Sequence, residues 1–70
     1  MLELLQSLYD SEINVSISCF WDGGWDIKIG DEMNGFKAEE NFDSLDENAV
    51  RWLRETAMRL YPNSVFAKAA

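Results

Sequence analysis

Residues 44–61, SLDENAVRWLRETAMRLY, carry a complete helix signature, and the rest of the chain has to pack against them. Ser44 is a good N-cap. Glu47, three residues later, is placed to reach back to the cap's own N–H, which makes the pair a capping box. Asp43, Asp46 and Glu47 set negative charge at the positive end of the helix dipole. Leu45, Ala49, Trp52, Leu53, Thr56, Ala57 and Leu60 recur at helical spacing, and Pro62 disfavours helical geometry at Tyr61 and ends the run. One side of this helix is built for burial. The other is a ladder of alternating charge, Glu47, Arg51, Glu55 and Arg59, each four residues from the next.

Upstream of it the period changes to two. Ile13, Val15, Ile17, Cys19 and Trp21 alternate with Asn14, Ser16, Ser18 and Phe20, the pattern of a half-buried strand. Trp25, Ile27 and Ile29 continue it in a second strand, with Asp26 and Lys28 turned to solvent. Parity chooses the turn. A three-residue loop of Asp22, Gly23 and Gly24 sets Trp21 opposite Trp25, Cys19 opposite Ile27 and Ile17 opposite Ile29, so that the apolar residues share one face. A two-residue loop would scatter them across both. Phe36, Ala38, Glu40 and Phe42 form a third strand. Pairing Ile29 with Phe36 across an even loop, Asp31 to Asn34, brings Glu40 beside Trp25 at the rim of the apolar face.

Met1, Leu4, Leu5, Leu8 and Tyr9 share one stripe of a short first helix ending near Asp10 or Ser11, which must dock in order to form. Val65 and Phe66 can fold back over the body of the domain, and residues 67–70 read as a frayed tail after a single domain spanning 1–66. The expected architecture is α+β with the order αβββα: a three-stranded antiparallel meander with both helices on one face. The opposite face, carrying Asn14, Ser16, Ser18, Phe20, Asp26, Lys28, Lys37, Glu39 and Asn41, has no element left to cover it.

Seventy residues make one core, and the nine aromatics are expected mostly inside it. The single Cys19 has no intramolecular partner, and no signal-peptide pattern or long apolar run is present; both point to a reduced, cytoplasmic setting and away from membranes. Charge is uneven. Residues 1–47 hold twelve acids against Lys28 and Lys37, a balance of −10, whereas residues 48–70 hold Arg51, Arg54, Arg59 and Lys68 against Glu55, a balance of +3. Such a field repels phosphate backbones and argues against direct nucleic-acid binding.

Candidate chemistry is sparse. No histidine is present, which removes the commonest general base and transition-metal ligand. Asp22, Asp26, Asp31 and Glu32 gather around the two turns, but a calcium loop aligned on Gly35 puts Gly30 at its first ligand and Asn41 at its last, so turn chemistry is the reading for these acids. Cys19 lies on the apolar face with no base to activate it and reads as a small core residue. Arg51 and Arg59 have acids four residues away, leaving Arg54 as the free cation of its helix. Phe20 stands out, because parity turns it outward among serines and lysine, as a contact residue would be. No catalytic, cofactor or metal residue emerges.

In order and length the chain resembles the double-stranded RNA-binding domain, a likeness of topology that covers nearly all of it. That resemblance implies the fold but not the activity: the family's lysine-rich segment before the last helix is replaced by Asp43, Ser44, Leu45, Asp46 and Glu47. The sheet followed by a helix is also similar to HicB-type antitoxins. The same order with an acidic surface resembles certain phage anti-CRISPR proteins, whose carboxylates stand in for phosphates. The Asp22-Gly23-Gly24-Trp25 turn and the Gly30-Asp31-Glu32-Met33-Asn34-Gly35-Phe36 connection resemble those of short bacterial proteins.

Two functional expectations follow. The first is a non-enzymatic protein-binding or regulatory module, acting through its open sheet face or a strand edge on a protein partner or a second copy of itself, with Phe20, Ser18, Asp22, Asp26, Lys28, Asp31 and Glu32 as contact residues. The second is a nucleic-acid mimic that blocks a basic groove through Asp22, Asp26, Asp31 and Glu32.

Overall fold

A computed structural model describes residues 1–69. Its element order is α1 (Leu2–Asp10), β1 (Val15–Phe20), β2 (Gly24–Asp31), β3 (Gly35–Phe42), α2 (Glu47–Leu60) and α3 (Val65–Ala69). The strands form one antiparallel sheet in the order β1-β2-β3, so β2 is central and both β1 and β3 are edges. Ile27 and Ile29 of β2 share a core with Leu4 and Leu8 of α1 and with Ala49, Leu53 and Ala57 of α2. Both helices therefore lie on the face to which the odd-numbered residues of β2 point. The expected αβββα architecture is present, and a short third helix follows it.

Both long helices are ended by specific local chemistry. In α1 the Glu12 N–H donates to the Tyr9 carbonyl at 3.0 Å and the Ile13 N–H to the Leu8 carbonyl at 3.0 Å, a Schellman closure with Glu12 held at φ 61°. Buried Ile13 packs with buried Leu8 in the same core, completing that motif. At α2 the cap is Asp46 rather than Ser44. The Asp46 carboxylate accepts from the Asn48 and Ala49 N–H groups at 3.0 and 3.4 Å, and the Ser44 hydroxyl donates to it at 3.2 Å. One carboxylate oxygen takes both N–H groups while the other accepts from Ser44, so the helix begins two residues later than its Ser-x-x-Glu pattern suggests.

Both hairpins slide by two residues; the first keeps the expected parity throughout, and the second keeps it from Trp25 to Ile29. Phe20 pairs with Gly24, Cys19 with Trp25, Ile17 with Ile27 and Val15 with Ile29. The loop is thus Trp21, Asp22 and Gly23, closed by the Gly23 N–H donating to the Phe20 carbonyl at 2.9 Å, with Gly24 entering the strand at φ 78°. A shift of two preserves which residues face the helices, so parity cannot detect it; the turn decides. Its consequence is large for Trp21. This side chain sits at the loop tip and is 96% exposed, not in the core. Cys19 keeps the helix-facing parity yet is exposed too.

The second hairpin pairs Ile29 with Ala38, Ile27 with Glu40 and Trp25 with Phe42, then breaks register so that Gly30 meets Phe36 and Asp31 meets Gly35. Lys37 is the extra residue of this bulge. Gly30 adopts φ 112°, and a Cβ there would lie 2.6 Å from the Gly35 carbonyl oxygen. Two expectations change with it. Phe36 leaves the helix-facing side, and Lys37 comes round to place its ammonium 6.0 Å from the Tyr61 ring centroid. Glu40 lies opposite Ile27 and reaches solvent.

After α2 the chain turns at Pro62. Ser64 caps α3 through its hydroxyl, which accepts from the Ala67 N–H at 3.1 Å. Phe66 packs against the core, as expected, while Val65 is exposed. Residues 67–69, read as a frayed end, complete the last turn of this helix, and Ala70 lies outside the described residues.

Candidate interaction surface

The sheet face away from the helices is built from alternate residues of three strands: Ser16, Ser18 and Phe20 of β1, Asp26 and Lys28 of β2, Glu39 and Asn41 of β3. Its centre is polar and internally bonded. The Asn41 amide donates to the Asp26 carboxylate at 2.7 Å and to the Gly23 carbonyl at 2.8 Å, tying β3 to the first turn. Lys28 stands 3.9 Å from the Glu39 carboxylate, the one ion pair among the described residues, and 5.1 Å from the Phe36 ring centroid. That last contact places Phe36 on this outer face.

Two aromatics therefore occupy diagonal corners. Phe20 is 57% exposed at the β1–β2 end, and Phe36 is 44% exposed at the β2–β3 end. Between the rows of these corners β2 advances six residues, about 20 Å at a strand's rise. Met33, in the second turn, is 95% exposed. Sequence periodicity finds Phe20 but not Phe36, because a bulge reverses facing without altering the alternation of residue types. The two glycines flanking Asp31 to Asn34 are the only trace it leaves in the sequence.

Of the residues singled out from sequence, Ser18 pairs with Asp26, Lys28 follows on the same face, and Phe20 closes that end. Asp22 stands apart at the first loop tip, and Asp31 with Glu32 stands at the opposite end of the sheet. The acids read as one set are thus divided by the length of β2, about 23 Å. Asp31 is a turn residue: it accepts from the Asn34 N–H at 2.7 Å and the Asn14 amide at 2.8 Å. The Asn34 N–H and its side chain hold the Asp31 carboxyl below the usual carboxylate range. Among the described residues no three Cys, Asp or Glu side chains come together as a metal site would require.

On the helix side, Arg54 borders an open groove of about 570 Å³ that is also lined by Asp10 and Phe66. The acid there works against an anion site. The charge ladder of α2 makes no close ion pair among the described residues. No helix is long and apolar enough to cross a membrane. No protein-family model, curated protein or solved structure matches this chain.

Proposed function

We propose that this protein is a non-enzymatic binding module, working in the cytoplasm, that docks a protein partner on the outer face of its sheet. The observation that carries the reading is the pair Phe20 and Phe36, both exposed on a face that no helix covers. Aromatic side chains bury large areas at low entropic cost and dominate interface energetics, so two of them framing a polar centre suit a contact anchored at both ends. Between the anchors Asp26, Lys28, Glu39 and Asn41 offer polar groups already fixed by their mutual contacts, which lowers the entropic cost of presenting them, with Ser18 beside them. The lone cysteine supports a reduced compartment.

The test compares affinity capture from the native cell extract by wild type, Phe20→Glu and Phe36→Glu, with circular dichroism confirming that each variant folds. Loss of the same partner in both variants supports the proposal. Capture that is indifferent to both substitutions, or no specific capture by wild type, removes it.

A further inference from the structure

We infer that the free edge of β1 pairs with the β1 edge of a second copy of this chain, with Ile17 at the dyad. The Asn14 carbonyl accepts from the Gly30 N–H at 2.8 Å, which makes Asn14 and Gly30 a hydrogen-bonded pair of the β1–β2 ladder. Because such pairs alternate, Ser16, Ser18 and Phe20 aim their backbone groups at β2, while Val15, Ile17 and Cys19 aim theirs at the open edge. Antiparallel pairing about Ile17 sets Ile17 against its own copy and Val15 against Cys19, and makes about six interchain hydrogen bonds from groups that are otherwise unpaired.

Three features select a second copy as the occupant. The chain carries −7, so two copies can meet only where charge is low, and Val-Ser-Ile-Ser-Cys-Phe is the only strand with no charged residue. The other edge, β3, carries Lys37, Glu39 and Glu40 with a bulge, the features that protect an edge from pairing, so the contact closes as a dimer and does not run on as a fibre. The pairing is also complementary beyond the backbone. Beyond the paired strand, Trp21, 96% exposed at the tip of the first loop, comes to the end of the second copy where α1 gives way to β1. There a groove of about 430 Å³ opens between α1 and the start of β1, lined by Leu2, Leu5, Tyr9 and Ile13. Leu2 and Tyr9, exposed on a helix whose other apolar residues are inward, find a partner in that indole.

Covering Trp21, Tyr9 and the strand edge removes about 500–600 Å² per copy, about 1,000–1,200 Å² in all, at the lower end of specific interfaces. A dissociation constant in the micromolar range, on the order of 1–100 µM, is expected. Each copy carries −7, so dimerisation strengthens with added salt. The outer faces of the two copies then join into one six-stranded surface that leaves Phe20 and Phe36 accessible.

Sedimentation equilibrium of the full chain over a concentration series reaching about 500 µM tests this, reading mass above the 8.1 kDa of the monomer. A monomer–dimer equilibrium is expected. Trp21→Ala should raise the dissociation constant at least about 30-fold. Val15→Cys should give a disulfide-linked dimer with Cys19 under mild oxidation, whereas Ser16→Cys should not. Wild type that stays monomeric throughout overturns the inference, as does a dimer indifferent to Trp21→Ala or one that Val15→Cys fails to cross-link. Phe36→Glu should leave the dimer intact while removing outer-face capture, so failure of this inference and of the binding reading are separately visible.

Discussion

Replacing Gly30 by alanine tests the bulge on which the outer face depends. The residue sits at φ 112°, where an L side chain is strained, and its added Cβ would lie 2.6 Å from the Gly35 oxygen, 3.0 Å from the Phe36 Cα and 3.1 Å from the Lys37 nitrogen. Strained backbone of this kind costs about 1–3 kcal/mol. The three contacts are all with backbone, which cannot rotate away, so β3 must shift at a further cost of about 1–3 kcal/mol. A total of about 2–6 kcal/mol is a large part of the stability of a chain this size, roughly 4–10 kcal/mol. With a urea slope near 1 kcal/mol per molar, the unfolding midpoint followed by circular dichroism should fall by at least about 2 M or folding should be lost. Gly23→Ala, whose Cβ would make only an ordinary 3.6 Å contact with Phe20, serves as the control and should shift the midpoint by less than about 0.5 M. A Gly30→Ala midpoint as close to wild type as that of the control would show that the register break, and with it the outward Phe36, is misplaced.

Other substitutions separate further parts of the reasoning. Glu12→Gly relieves a left-handed conformation at the end of α1 and, after the entropy lost to glycine, should stabilise the protein by roughly 0.5–1 kcal/mol in urea melts; a destabilisation would refute the Schellman geometry. Asp46→Ala should lower the melting temperature by roughly 5 °C and Ser44→Ala by much less, an order that would reverse if Ser44 were the cap. Leu53→Ala, at a fully buried site between α2 and the sheet, should cost about 2–5 kcal/mol in chemical denaturation. Asp31 and Asp46 have carboxyls held below their ordinary values. At Asp46 desolvation opposes this, and the Ala49 and Asn48 N–H groups outweigh it. Their folded values being the lower ones, both stabilise the protein above about pH 4 and cease to as pH falls through those folded values. Urea midpoints should be level near neutrality and drop on acidification, with a shallower drop in Asp31→Asn; an unchanged slope would show that the turn does not bind that carboxylate.

What the chain establishes by itself is local or periodic. Leu4 and Leu8, Ile27 and Ile29, and Ala49, Leu53 and Ala57 are inward because period 3.6 and period 2 each leave one consistent apolar side, and that consistency yields the αβββα order and the bare outer face. Phe20 is legible for the same reason. Tertiary structure decides whatever parity leaves degenerate. Sliding a hairpin by two residues changes no facing, so only the closure of the turn around Gly23 sends Trp21 from core to loop tip. A bulge inserts one residue and reverses facing beyond it, so only the meeting of Gly30 with Phe36 exposes that ring beside Lys28. The choice of cap is likewise invisible to periodicity: the Asp46 carboxylate, and not the Ser44 hydroxyl, accepts from the Asn48 and Ala49 N–H groups. The alternation of residue types selects faces, and the backbone hydrogen bonds that close turns and bulges select register.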